Sequence, residues 1–254
     1  MALLRSGRRR VDEIAVLAGA GGPLAEVVAL ARRAGVKVSF RTREQLTAIA
    51  GAPTHQGVVA RVAAAEYVVL DDLLREPQAG GEPRFLLALD QVQDPQNLGA
   101  VLRTAEAFGV QGVVLTKHHA VGLTDAVARA SAGAVAYIAV AKETNLVSAV
   151  EAMKKSGVWT YGGIAAGGLD PWRVDLTGPV CLVLGSEAAG LRSLVARSCD
   201  ALLTIPMAGR IGSLNVAAAA AVLCYEVVRQ RATKAQGNKN LDGNKNLDLG
   251  DGEK

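Results

Sequence analysis

The chain of 254 residues lacks the features that mark several classes of protein. It contains only three cysteines and three histidines, without paired C-x-x-C spacing, which argues against a metal site or a disulfide framework and favours buried free thiols. No apolar run approaches the ~18 residues that a membrane span requires. The basic residues at the start follow a short apolar piece, the reverse of a secretory signal. We therefore expect a cytoplasmic protein that binds neither a membrane nor a metal.

Nucleotide-binding loops of the common kinds are also missing. The chain has no G-x-x-x-x-G-K-[ST] sequence, which excludes a P-loop site. Gly19 and Gly21 begin a G-x-G-x-x-G pattern, but Leu24 occupies its sixth position. The strand that follows, "VKVSFRTR", ends without the acidic residue that binds a ribose in dinucleotide enzymes. An ordinary strand-to-helix turn explains these glycines better.

The charges are distributed unevenly along the chain. Residues 1–61 hold ten Arg and Lys against four Asp and Glu, whereas the remaining residues hold eighteen against twenty. A basic N-terminal module suggests an anionic partner such as a nucleic acid. An ordinary solvated surface explains the charge alone equally well.

Alternating strand and helix patterns predict an α/β protein of two domains. A small domain over residues 1–75 is followed by a linker at 76–83, "EPQAGGEP", and a larger domain at 84–232. In the larger domain, continuous apolar strands predict a parallel sheet covered on both faces. It includes a strand over 135–140 and a closing helix over 214–231. Residues 233–254 repeat "GNKNLD" and hold few core-forming residues, so we expect a disordered tail.

The segment "DPQNLGAVLRTAEAFG" at 94–109 places a glycine inside a predicted helix, over 98–108. Glycine costs about 1 kcal/mol relative to alanine in a helix interior. Arg103 lies one turn after Gly99, so both share a face, and we expect a ligand to approach the backbone there beside a fixed positive charge. A purely structural explanation also holds for this segment alone, with Asn97 capping the helix and Arg103 paired with Glu106.

Two later segments favour a ligand site. "CLVLGSEAAGL" at 181–191 is an apolar strand that ends in Gly185, Ser186 and Glu187, and ligands collect at the carboxyl ends of strands in α/β sheets. "LLTIPMAGRIGSLNVAAAAAVL" at 202–223 is a strand, a loop and a helix start that carries Ser213 and Asn215. Polar groups at a helix start suit a carboxylate or an adenine edge.

In this order, the three segments resemble the three motifs of the TrmH (SpoU) family of RNA ribose methyltransferases. The "SAGA" at 131–134 and "THQGVVARV" at 54–62 resemble most the branch that methylates a guanosine of 23S rRNA at its 2′-hydroxyl. The resemblance covers about residues 11–232. Ala188 stands where the family often has a second glycine. The first strand and a "GxHxV"-like segment of the N-terminal domain are missing, so we expect that domain to be short.

The resemblance implies a SPOUT methyltransferase domain with a deep trefoil knot and a parallel sheet, preceded by a small L30e-like α/β RNA-binding domain. It implies S-adenosylmethionine as cofactor and a homodimer formed through the catalytic domain. The implied cofactor-binding residues are Leu184, Gly185, Ile205, Met207 and Leu214. The implied catalytic residues are Arg103, which activates the 2′-hydroxyl as a cation or as a base, with Asn97, Glu187, Ser213 and Asn215.

The resulting hypothesis is S-adenosylmethionine-dependent methylation of a ribose 2′-hydroxyl in structured RNA, with a guanosine of 23S rRNA as the target. The N-terminal domain favours rRNA over tRNA, and we expect no DNA substrate. Two alternatives stay open, a tRNA 2′-O-methyltransferase and a non-catalytic RNA-binding factor for ribosome assembly. The non-catalytic alternative is opposed by four intact residues, Asn97, Arg103, Glu187 and Asn215.

Overall fold

The computed structural model divides the chain into two compact units, residues 1–66 and 67–254. Within them, it describes residues 4–5, 11–19, 21–51, 53, 55–62, 66–75, 81–187 and 189–245, with side chains as far as residue 236. Residues 76–80 of the predicted linker and 246–254 of the predicted tail lie outside the described residues.

Over residues 11–62, the described part of the first unit is a three-stranded sheet with two helices. Its elements are β1 (Val11–Leu17), α1 (Pro23–Arg33), β2 (Lys37–Arg41), α2 (Arg43–Ala50) and β3 (Val58–Val62). β1 lies in the centre, parallel to β2 and antiparallel to β3. Ile14 and Val16 of β1 pack with Val27 and Ala31 of α1, which forms the core of this unit.

The second unit is a six-stranded sheet with helices on both faces. It comprises α3 (Leu70–Arg75), β4 (Phe85–Asp90), α4 (Pro95–Ala107), β5 (Gly112–Thr116), α5 (Asp125–Ala130), β6 (Ala139–Glu143), α6 (Leu146–Lys155), β7 (Trp159–Gly163), β8 (Val180–Gly185), α7 (Ser193–Ser198), β9 (Ala201–Leu203) and α8 (Val216–Lys245). The strand order is β6-β5-β4-β8-β7-β9, and every pair is parallel.

The central strand β4 explains why the strand sequences are continuously apolar. All six of its residues are buried, and successive side chains point to opposite faces of the sheet. Phe85, Leu87 and Leu89 belong to the cluster that includes α4 and α8. Leu86 and Ala88 belong to the second cluster, with α6 and α7. The predicted parallel sheet with two covered faces is confirmed.

Several element boundaries differ from the prediction. Residues 134–136 form a 3₁₀ turn and β6 begins only at Ala139, because an apolar run by itself does not separate strand from buried turn. Leu70–Arg75, assigned from the sequence to the first domain, forms α3 in the second unit, where its Leu73 packs beside Gly112. Helix α4 begins at Pro95 with Asp94 as its N-cap, so Asn97 lies in the first turn and does not cap the helix.

Helix α8 continues to Lys245, so residues 233–245 are helical and not disordered as predicted. The side chains at 232–236 are exposed, so packing does not explain why these residues are helical. A helix already nucleated in the core propagates by adding one hydrogen bond per residue, which offsets the poor composition of this segment.

The cysteines are free thiols, as expected. Cys181 and Cys224 are buried, and Cys199 is partly buried. Burial raises the pKa of the Cys199 and Cys224 thiols to about 12, so both are protonated and unreactive near neutral pH. In the part of the chain that the structure describes, no helix is long and apolar enough to cross a membrane.

Candidate functional site

A cavity of about 430 Å³ opens at the carboxyl ends of three neighbouring strands. Gly163 at the end of β7, Gly185 at the end of β8 and Leu203 at the end of β9 all line it. Because parallel strands end at the same edge of the sheet, their last residues come together although they are distant in sequence. The segments that follow these three strands and the N-terminal part of α8 form the remaining walls.

All five residues that the family resemblance assigns to cofactor binding line this cavity: Leu184, Gly185, Ile205, Met207 and Leu214. Most of the wall is aliphatic, with backbone groups of glycines between the side chains. Such a pocket, apolar with a few polar groups, is typical of sites for small organic ligands.

The loop that follows β8 folds tightly onto the strand end. The backbone N–H of Gly190 donates to the carbonyl of Ser186 at 2.8 Å, and Gly190 has a φ of +64°. A side chain at Gly185 would overlap the backbone of Gly190 and Leu191. Glycine is therefore required at position 185 for the loop to close over the strand end.

Polar residues of all three motifs meet at the rim of the cavity. Glu187 and Ser213 line it, and the side-chain amide of Asn97 donates a hydrogen bond to the Glu187 carboxylate. Asn97 and Glu187 are 90 residues apart in sequence. This contact joins the first motif, on α4, to the second motif, in the loop after β8.

Asn215 lies beside the cavity, at the start of α8. Its side-chain oxygen accepts a hydrogen bond of 2.8 Å from the backbone N–H of Ala218. Asn215 therefore caps the helix that carries three cavity residues, Val216, Ala219 and Leu223. Asn215 does not itself line the cavity. Its observed role is to cap α8.

Arg103 is exposed on α4 and does not line the cavity. It lies six residues after Asn97, which places it about 9 Å along the helix and about 120° around it. No described residue forms an ion pair with Arg103, and the pairing with Glu106 suggested by their spacing is absent from the described residues.

The prediction that Gly99 lets a ligand approach the backbone is wrong. Gly99 is buried, and a side chain there would overlap Ala130 and come within 2.9 Å of the backbone nitrogen of Ser131. The glycine instead allows α4 and α5 to pack backbone to backbone. Gly99 and Arg103 do lie one turn apart on α4, but the group that approaches the Gly99 backbone is α5 and not a ligand.

Sequence reasoning missed the part of the cavity wall formed after β7. Gly163, Ile164 and Ala165 line it, although no motif was recognised there. Two consecutive glycines at the end of β7 were the available signal, because a glycine in a strand often marks a close approach. A side chain at Gly163 would come within 2.7 Å of the Leu184 side chain.

The histidines give no sign of a metal site. His55 holds a turn, with Nδ1 accepting from the backbone N–H of Gly57 at 3.0 Å and Nε2 contacting Thr47 Oγ1 at 3.2 Å. Among the residues with described side chains, no group of three or more His, Cys, Asp or Glu is placed to hold a metal ion.

Comparison with known proteins gives consistent matches for both units. The sequence model of the SpoU rRNA Methylase family matches residues 84–225, and that of the RNA 2′-O ribose methyltransferase substrate-binding family matches residues 1–68. The chain is 44% identical over 210 residues to the putative TrmH family tRNA/rRNA methyltransferase YacO of Bacillus subtilis, covering 83% of this chain and 84% of the relative. It is 38% identical over 231 residues to the 23S rRNA (guanosine-2′-O-)-methyltransferase RlmB of Shewanella oneidensis, covering 91% and 94%.

Among solved structures, the chain is similar to the SpoU methyltransferase AviRb from Streptomyces viridochromogenes in complex with the cofactor AdoMet. The TM-score is 0.76 at 26% identity, and the match covers 91% of this chain and 87% of that one.

Proposed function

The chain belongs to the SpoU rRNA methylase family, and we propose that it methylates the 2′-hydroxyl of a guanosine in 23S rRNA. It is an RNA 2′-O-ribose methyltransferase that uses S-adenosylmethionine. The observation that carries the proposal is the meeting of three motifs at one cavity, where the Asn97–Glu187 hydrogen bond joins the first motif to the second.

The cavity fits S-adenosylmethionine in size and in chemistry. Its aliphatic walls, including Leu184, Ile205 and Met207, suit an adenine ring, and the exposed backbone beside Gly185 and Leu214 suits its polar edge. When bound, this cofactor supplies an electrophilic methyl group on a sulfonium. We assign its adenosyl part to this cavity, held by the loops at 182–190 and 205–215, whose crossing would form the trefoil knot.

The protein's own residues would then orient the ribose and stabilise the charge that develops on its oxygen. Glu187, fixed by Asn97, and Ser213 offer hydrogen-bonding groups at the cavity rim. Arginine side chains stay protonated in proteins, so we assign Arg103 to electrostatic stabilisation of the forming alkoxide rather than to proton abstraction. Its position is exposed and no described residue forms an ion pair with it, which leaves the guanidinium free to meet the RNA.

We propose 23S rRNA over tRNA as substrate because the first unit resembles a substrate-binding domain and is basic. A direct test is to map 2′-O-methyl groups in RNA from cells that lack this protein. One guanosine of 23S rRNA should lose its methyl group, and the wild-type gene, but not a gene encoding Arg103→Ala, should restore it. Loss confined to tRNA would support the tRNA alternative, and an unchanged map would support the non-catalytic one.

The first unit should supply much of the affinity for RNA. Seven of its described basic residues are exposed: Arg5, Arg32, Arg33, Lys37, Arg41, Arg43 and Arg61. Each phosphate contact releases counterions, so deleting residues 1–66 should weaken RNA binding and lower the slope of log affinity against log salt by several units. Unchanged affinity of the remaining chain for S-adenosylmethionine would serve as the control for folding. An unchanged salt slope would assign RNA binding to the catalytic unit.

We also propose that the catalytic unit forms a homodimer through the outer face of α8. Val222 and Tyr225 lie one turn apart and are 42% and 57% exposed. They form an apolar surface whose contact with water is unfavourable. Tyr225 stacks edge-to-face on Phe108 beside α4, with ring centroids 6.4 Å apart, which extends the surface across two helices.

The double variant Val222→Glu/Tyr225→Glu should therefore be a monomer, because four buried carboxylates would be placed in the interface of two copies. Light scattering after size-exclusion chromatography at micromolar concentration measures this. Leu194→Glu is the matched control, since Leu194 is 64% exposed on α7, away from this face. A monomeric wild type, or a variant that stays dimeric, would contradict the proposal.

A further inference from the structure

A fully buried carboxylate lies beneath the loop that covers the cavity. Asp90 is the last residue of β4, and its side chain is 0% exposed. Among the described residues, Arg192 alone contacts this carboxylate: Nη2 lies 2.7 Å and Nε 2.9 Å from Oδ1, while Nε and the backbone N–H each lie 3.1 Å from Oδ2. One residue thus holds this carboxylate through both its side chain and its backbone.

The Asp90–Arg192 pair lies where the loop after β8 both begins and ends. Asp90 is the register partner of Gly185 in the β4–β8 pairing, so the chain leaves β8 beside Asp90 and returns to Asp90 at Arg192. The described residues between them, 186–187 and 189–191, are called the cavity loop. Its residues Ser186, Glu187, Ala189, Gly190 and Leu191 all line the cavity.

Stability alone is a weak reason for such a pair. Removing the Asp90 carboxylate from water is costly, and apolar residues of similar volume often stabilise a protein as well as a charge pair at a buried site does. A buried pair does, however, impose one geometry on the segments that it joins. Here the joined segments are the end of a central strand and the far end of the cavity loop.

We propose that Asp90 and Arg192 are positioning residues that hold the cavity loop in the conformation that binds the cofactor. They act through the loop and do not touch the cavity themselves. This inference rests on the proposed placement of S-adenosylmethionine in the cavity.

Asp90→Asn keeps the shape of the side chain and removes its charge. Because the loop is then held less firmly, the dissociation constant for S-adenosylmethionine should rise at least about tenfold, mainly through faster dissociation. The rate at saturating cofactor should change much less. Arg192→Met should have the same effect, and the double variant should be no worse than either single variant, because the two residues act as one unit.

Arg192→Lys keeps the positive charge but loses the two-pronged geometry of the guanidinium. Its side chain is 44% exposed, so this substitution should be tolerated even if a change at the buried Asp90 prevents folding. It should give an intermediate loss of cofactor affinity. Wild-type affinity in Arg192→Lys and Arg192→Met would overturn the proposal.

Asp200→Asn is the matched control. The Asp200 carboxylate accepts from the backbone N–H and the hydroxyl of Thr160, both at 2.8 Å, and pairs with Lys154 at 3.3 Å, but it does not line the cavity or its loop. This variant should lose thermal stability and keep its affinity for S-adenosylmethionine. Equal weakening of binding in Asp200→Asn and Asp90→Asn would reduce the effect to general destabilisation and overturn the proposal.

A cavity-filling variant separates this inference from the proposed function. Ala219 lines the cavity, and Ala219→Leu should block cofactor binding. If Ala219→Leu binds S-adenosylmethionine normally, the cavity is not the cofactor site and the proposed placement fails. If Ala219→Leu weakens binding but Asp90→Asn does not, the placement stands and only the role of the pair is overturned.

Discussion

Arg103→Ala should lower the rate of methyl transfer by about a thousandfold, the upper range for removing a group that stabilises a developing oxyanion. The affinity for S-adenosylmethionine should stay unchanged, because Arg103 does not line the cavity assigned to it. Single-turnover methylation of target RNA with labelled cofactor measures the rate, and calorimetry measures the affinity.

Two further variants make this result specific. Arg103→Lys keeps a positive charge without the planar fork, and should recover only a part of the lost rate. Arg197→Ala removes another exposed arginine of the same unit, on α7, and should be near wild type. Loss of cofactor binding in Arg103→Ala, or equal losses in both alanine variants, would contradict the role assigned to Arg103.

The parts of the site that follow the strands could be predicted from the sequence. Apolar runs that end in glycine and polar residues, as at Gly185 and Glu187, identify the ends of buried parallel strands. The topology of the sheet then brings these ends together, and the five residues expected to contact the cofactor do line one cavity.

The parts that depend on contacts between distant elements could not be predicted. A glycine such as Gly99 gives the same sequence pattern whether a ligand or a helix approaches it. Only the packing of α4 on α5 shows that a helix does. Asp90 ends an apolar strand, but its pairing with Arg192 joins residues 102 apart. The helical residues 233–245 also escaped prediction, because composition does not reveal that a nucleated helix precedes them.

A second large effect is expected when the RNA, rather than the protein, is changed at the atom that accepts the methyl group. The polar groups around the cavity, at Asn97, Glu187 and Ser213, lie near helix starts and loops, where they suit a hydroxyl and a phosphate. A base methyltransferase would instead need a pocket that holds a flipped base and reads its edge. The acceptor should therefore be the ribose oxygen alone.

Methyl transfer to an RNA fragment of 23S rRNA carrying a single 2′-deoxy nucleotide at the target position tests this most directly. The unmodified fragment should accept one methyl group and gain one alkali-resistant linkage, because the methylated oxygen no longer attacks the neighbouring phosphate. The deoxy fragment should bind with similar affinity and accept no methyl group. Transfer to the deoxy fragment, or labelled methyl recovered on a free base, would contradict the account.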